Sequence, residues 1–229
     1  MNTKLHERTI KSFVKRHRKL TTHQQKLFQK YWLQFGIAHP KDFFNTLIAE
    51  KLILEIGFGD GNALWQMAQQ NPDAIYVGIE VHQPGIAALM QNLLERKINN
   101  VKIMHDDAVL ILKNNIQDNQ LSRVQIFFPD PWHKLKHHKR RLIQPELIDL
   151  LHQKLKTGGV MHCATDWQDY AKHMMRILSQ HVGFKNQIAL NQFADNAANQ
   201  LRPVTKFEQR GIRLKHDVWD LLFEKLPTS

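Results

Sequence analysis

A chain of 229 residues with a formal net charge of +11 and 42% hydrophobic residues has the length and apolar content for one α/β domain with an extension. No apolar run approaches the roughly 20 residues needed to cross a bilayer. The basic, polar N-terminus has no apolar stretch of the kind a secretory signal requires, and the single Cys163 leaves no partner for an internal disulfide. A soluble, cytoplasmic protein is expected, and its excess of positive charge points to a polyanionic partner.

That charge is unevenly placed. Residues 1–30 hold nine Lys/Arg against the single acid Glu7, His133–Arg141 holds five with no acid, and Arg202–Lys215 holds five against Glu208. Basic N-terminal arms are both solvated tails and polyanion contacts, and the first block fits either description. From Thr21 to Phe35 the spacing of Leu27, Phe28, Tyr31, Trp32 and Phe35 predicts a short amphipathic helix whose aromatic stripe is for packing, and Pro40 closes the region. Residues 1–40 are therefore read as a basic, partly flexible extension, and residues 41–229 as the main domain.

The stretch Lys51–Leu64, KLILEIGFGDGNAL, organises that domain. An apolar strand containing the lone acid Glu55 breaks into Gly57, Gly59 and Gly61. A helix follows, with Ala63, Leu64, Met67 and Ala68 on one face. Glycines let a ligand approach bare backbone, and the helix start offers unpaired N–H groups. The spacing departs from the dinucleotide pattern G-x-G-x-x-G, since the third glycine falls one place early. Glu55 would repel a pyrophosphate and welcome an ammonium. The pattern E-x-G-x-G-x-G resembles the first motif of the class I S-adenosylmethionine (SAM) methyltransferases; the plain alternative is a structural turn.

Strand and helix then alternate. Ala74–Glu80 reads as a strand ending in Glu80, about 20 residues past the glycine turn, where Rossmann-like sheets place an acid for ribose hydroxyls. A helix over Pro84–Arg96 leads to a strand at Asn100–His105, followed by Asp107, which suits either a ligand contact or a helix N-cap. Leu121–Phe128 is the fourth strand. A helix over Pro145–Leu155, a turn at Thr157–Gly159, a strand over Val160–Thr165 ending at Asp166, a helix over Trp167–Gln180 and strands near 184–190 and 218–223 complete the set. The fold expected is a Rossmann-like, doubly wound, mostly parallel sheet with flanking helices. Glu55, Glu80, Asp107, Asp130 and Asp166 all fall at carboxyl ends of strands, where such sheets bind ligands.

Pro129-Asp130-Pro131-Trp132 follows the fourth strand, its two prolines presetting the backbone around Asp130. The segment FFPDPWHKLKHHKRRL resembles the signature of the bacterial-type tRNA (guanine-N7-)-methyltransferases. ATDWQDYAKHMM and RPVTKFEQRG resemble two further segments of that family, so the likeness covers about residues 45–225. His133 and Leu135 stand where that family more often has proline and a basic residue. The resemblance makes residues 41–229 a SAM-dependent methyltransferase domain that methylates a guanine at N7 in the variable loop of tRNA, with S-adenosylhomocysteine leaving. It implies that Glu55, Gly57, Gly59, Gly61, Glu80, Asp107 and Asp130 take up SAM and that Asp130 is catalytic. It further implies that Lys134, Asp166, Thr205, Lys206, Phe207 and Glu208 meet the substrate nucleotide, and that Lys136, His137, His138, Lys139, Arg140 and Arg141 lie against the RNA. A monomer or homodimer with tRNA as partner, and neither membrane nor metal, completes the expectation.

The chemistry agrees with that assignment. Guanine N7 carries an in-plane lone pair and is unprotonated at neutral pH, so alignment rather than a general base should drive transfer. Carboxylates that hold the guanine N–H groups also stabilise the positive charge the purine gains. Two rivals stay open on sequence: a SAM-dependent amino methyltransferase on another nucleic acid or a small molecule, and a non-catalytic RNA-binding module. Trp132 suits stacking or packing equally. Cys163, inside a strand, reads as a small buried hydrophobe, and the Lys/Arg around His133, His137 and His138 disfavour a metal ion.

Overall fold

The computed structural model describes residues 19–204, 208 and 217–227. Among these residues two helices, α1 (Thr22–Phe35) and α2 (Pro40–Thr46), precede the sheet. α1 starts with a capping box, in which the Thr21 side chain takes the Gln24 N–H and the Gln24 side chain takes the Thr21 N–H. Pro40 opens α2 instead of closing the N-terminal region, because the first turn of a helix has no intrahelical partner for the N–H that proline lacks.

Seven strands follow among the described residues: β1 (Leu52–Ile56), β2 (Ile75–Ile79), β3 (Val101–Met104), β4 (Leu121–Phe127), β5 (Leu155–Thr165), β6 (Phe184–Asn186) and β7 (Trp219–Lys225). Their order is β3-β2-β1-β4-β5-β7-β6, with β7 antiparallel to both neighbours and all other pairings parallel. The intervening helices are α3 (Asn62–Gln70), α4 (Gln83–Glu95), α5 (Ala108–Asn114), α6 (Pro145–Lys154), α7 (Gln168–Gln180) and the short α8 (Asn196–Asn199). The turn expected at Thr157–Gly159 lies inside β5 as an irregularity. The register jumps from Leu121↔Leu155 to Arg123↔Val160, and Gly158 takes φ +76° to accommodate it.

Helices cover both faces of the sheet. Ala63, Leu64, Met67 and Ala68 of α3 pack with Ile86, Leu89, Met90 and Leu93 of α4 on one face, and α5, α6 and α7 cover the other. Strands covered on both faces read as nearly unbroken apolar runs, which is why β1 is buried along its whole length. α1 belongs to the first face: Leu27 and Phe35 are buried there, Phe28 stacks on Trp32, and the Lys102 ammonium donates to the Gln34 carbonyl. The aromatic stripe of α1 thus enters the same core as α3 and α4. The order of strands reverses between β1 and β4, which opens a crevice at their carboxyl ends.

Candidate active site

Parallel register brings the strand-end acids to one edge. Ile79 of β2 pairs with Met104 of β3, which sets Glu80 beside the start of the segment holding Asp107. Glu55 pairs with Gly78 on one side and Gln125 on the other. Phe127 of β4 pairs with Ala164 of β5, so Asp130 and Asp166 leave adjacent strands within three residues of that pair.

The turn after β1 is shaped by backbone requirements. Gly57, Gly59 and Gly61 have φ of +73°, +60° and +73°, a region that side chains resist. A Cβ at Gly57 or Gly59 would meet nothing within 4 Å, so the backbone there faces open space, while one at Gly61 would strike Leu89 at 2.6 Å. Gly85, in the first turn of α4, packs so tightly that a Cβ would sit 2.1 Å from the Gly59 carbonyl oxygen. Gly85 went unnoticed in the sequence reading, although a glycine just inside a helix is a signal of close backbone approach.

Glu80 pins this turn. Its carboxylate accepts from the Gly59 N–H at 2.9 Å, the Val81 N–H at 2.7 Å and the His82 N–H at 2.9 Å. A carboxylate has about four lone-pair sites, so capacity for ribose hydroxyls remains. Asp107 is the N-cap of α5 and accepts from the Val109 N–H at 2.9 Å, which leaves its other oxygen for a ligand. Glu55 is 2% exposed, and its Oε2 has no hydrogen-bond partner among the described residues. Burial first, and the Glu80 charge second, push its carboxyl up to about 8. A buried acid with an unanswered oxygen beside open glycine backbone fits a ligand that brings its own cation.

The Pro129–Trp132 loop is strained on both sides of Asp130. Phe128 has φ +51° and Trp132 φ +46°, conformations that cost bulky residues about 1–3 kcal/mol each and gather at functional sites. Asp130 itself is exposed, and its carboxylate makes no hydrogen bond among the described residues. The basic run continues as a 3₁₀ turn over Leu135–Arg140. Lys134, Lys136, Lys139 and Arg140 are exposed there, and His137 and His138 are half-buried. Trp132 lies under the Arg140 guanidinium, 5.0 Å from the ring centre, with the His137 ring edge-on at 5.8 Å. Arg141 departs from the expectation of an RNA contact. Its side chain is 1% exposed and turned inward to the Pro131 carbonyl and Asp169.

Asp166 is half-buried beyond β5, and the neighbouring Trp167 meets the His133 ring edge-on at 4.2 Å. Thr205, Lys206 and Phe207 lie outside the described residues. Glu208 is buried, and its carboxylate takes the Arg202 guanidinium at 2.5 Å. The two oxygens of Asp220 take the other arms of Arg202, each at 2.8 Å. The guanidinium also lies over the rings of Phe127 and Phe128, so this buried pair supports the strained start of the Asp130 loop. Sequence reading missed Arg202, Asp220 and His162. The available signal was an acid, Asp220, set in the apolar strand WDLLF.

His162 completes the network. Arg123 Nη2 donates to its Nδ1 at 2.6 Å, because arginine has no acceptor, so the proton must sit on Nε2 and be donated to Asp220 at 2.7 Å. Burial, partly offset by Asp220, lowers the imidazole to about 4. Above pH 6.5 it is neutral in folded and unfolded chains alike. As pH falls from about 6.5 towards 4 the unfolded chain takes the proton and the folded chain does not, so stability should drop by up to about 1.4 kcal/mol per unit. Urea unfolding between pH 8 and 4 checks this: the slope should be shallower in His162→Gln, and an unchanged slope would assign it to other groups.

Comparison with known proteins adds a family. A family model described as "Putative methyltransferase" matches residues 49–221. A tRNA (guanine-N(7)-)-methyltransferase of Shewanella amazonensis (strain ATCC BAA-1098 / SB2B) is 45% identical over 223 residues, covering 96% of this chain and 93% of that protein. One of Hydrogenovibrio crunogenus (strain DSM 25203 / XCL-2) is 46% identical over 225 residues, with 96% and 93% covered. Among solved structures, the 16S rRNA methyltransferase KamB superposes with a TM-score of 0.55 at 15% identity, covering 93% of this chain and 97% of that one. At that identity the likeness speaks for the class I methyltransferase fold alone.

Proposed function

Because the chain belongs to the tRNA (guanine-N(7)-)-methyltransferase family, we propose that Asp130 and Asp166 are the acids that hold and align its target guanine. The enzyme transfers a methyl group from SAM to N7 of a guanine in tRNA. SAM supplies an electrophilic methyl group on a sulfonium centre. Glu55 meets the cofactor's ammonium, Glu80 and Asp107 its nucleoside, and Gly57, Gly59 and Gly61 give it bare backbone. Asp130 borders both the cofactor and the guanine. The observation that carries this reading is the state of Asp130: a carboxylate without a hydrogen bond among the described residues, held between two strained aromatic residues at the end of β4.

No base is assigned to N7, which already has its lone pair free. Asp130 and Asp166 accept from guanine N–H groups, restrict its plane and stabilise the positive charge that develops on the ring. Lys134 and the segment Thr205–Glu208 complete the nucleotide site, and Lys136, His137, His138, Lys139 and Arg140 face the phosphates, in the cytoplasm where tRNA is found. Incubation with radiolabelled SAM and unmodified tRNA, followed by nucleoside analysis, tests the assignment. The product should be 7-methylguanosine from the variable loop; a label on an exocyclic amine, or at another position, would overturn it.

Glu80→Ala removes the proposed ribose acceptor. SAM binding should weaken by roughly 1.5–3 kcal/mol, the range for hydrogen bonds to a charged group. The Gly59 N–H loses its partner in the same variant, so loosening of the turn adds to the loss. Calorimetric titration of the folded variant measures it, and unchanged affinity would remove Glu80 from the cofactor site.

A further inference from the structure

Arg141 stands between the two substrate-side loops. Its Nε donates to the carbonyl of Pro131, next to Asp130, at 2.9 Å. Its Nη2 donates to Oδ2 of Asp169, in the first turn of α7, which begins just after Asp166. The same nitrogen reaches His138 Nε2 at 2.9 Å, and the guanidinium lies 4.8 Å from the centre of the Tyr170 ring. Tyr170 is itself fixed, accepting the Ile143 N–H on its hydroxyl at 3.1 Å. A planar guanidinium spans two acceptors in a set geometry, whereas a lysine ammonium would meet them as a point charge. We propose that Arg141 is a positioning residue, which locks the Asp130 loop to α7 and so sets the separation of Asp130 and Asp166 for methyl transfer. This rests on the reading that those two acids hold the guanine.

Arg141→Lys, Arg141→Ala and Asp169→Ala carry the test, with Asp130→Ala alongside. Asp169 has a side chain 62% exposed, and without it Arg141 keeps the Pro131 carbonyl and His138, so thermal unfolding should change less in Asp169→Ala than in Arg141→Ala. At saturating SAM and tRNA, Arg141→Lys should slow single-turnover methylation by about 10²-fold, the scale of a small misplacement of reacting groups. Asp169→Ala should slow it about 10-fold, and the Arg141→Lys/Asp169→Ala pair should be no slower than Arg141→Lys alone. The slope of log tRNA affinity against log salt should stay at the wild-type value. A full wild-type rate in Arg141→Lys, or a slope reduced by about 0.7–0.9, the mark of one lost phosphate contact, would overturn the proposal. If Asp130→Ala also keeps the wild-type rate, the reading of the two acids fails; if it loses the rate while Arg141→Lys does not, only the lock fails.

Discussion

Asp130→Ala should cut the single-turnover methylation rate by about 10²-fold or more at saturating SAM and tRNA, while SAM affinity changes little. The first number is the scale for losing one oriented electrostatic group at a reacting centre, about 2.7 kcal/mol of barrier. The second follows from what stays in place. The glycine turn, Glu55 and Glu80 belong to β1 and β2, and Glu80 pins that turn without help from the loop after β4. The carboxylate has no hydrogen bond among the described residues, so its loss orphans no donor among them, and thermal unfolding should be near wild type. Asp130→Asn separates charge from shape: it keeps an acceptor but not the charge that stabilises a methylated purine. A rate in Asp130→Ala within a few-fold of wild type would refute the catalytic assignment.

Arg202→Met should be among the most destabilising single changes in the described part of the chain. Asp220 and Glu208 are both buried, and both lean on that one guanidinium. Removing one partner of a buried ionic network leaves uncompensated charge and costs about 3–5 kcal/mol. In a domain of this size that lowers the midpoint of thermal unfolding by on the order of 10 °C. The hydrogen bonds from His162 and Arg202, which outweigh burial in the net shift, hold the Asp220 carboxyl below its ordinary range. Such a group stabilises the fold above its unfolded value near 3.9, and the gain is lost as pH falls through the lower folded value. The variant lacks that gain at neutral pH, so its stability deficit against wild type should narrow as pH falls through this range. Calorimetry at pH 7.5 and an acid titration by circular dichroism measure the two effects. A change below 1 kcal/mol would mean that the network is solvated and does not brace Phe127 and Phe128.

Much of this was readable in the residues because it is local. The face Ala63, Leu64, Met67 and Ala68 is a matter of helical spacing, and those four are the buried residues of α3. The three glycines announce positive φ at alternate positions, and all three have it. Asp107 suited a cap by its place before an apolar helical run, and it is one. The carboxyl ends of β1 to β5 follow from apolar runs that break at glycine, proline or an acid, and with the right-handed crossover rule they determine which acids share an edge.

What only tertiary structure decided was how groups far apart in the chain divide their partners. Nothing in HKLKHHKRR separates Arg141 from Arg140, yet one is buried on Pro131 and Asp169 and the other is exposed over Trp132. Nothing near residue 202 pairs Arg202, in a loop, with Asp220 in β7. Pro40 reads equally as an ending or a beginning until the chain on either side is packed. The physical reason is the same throughout. Periodicity and backbone preference act over a few residues and are written into the order of side chains. The partner of a charge is set by desolvation, which exists only once distant segments have closed around it.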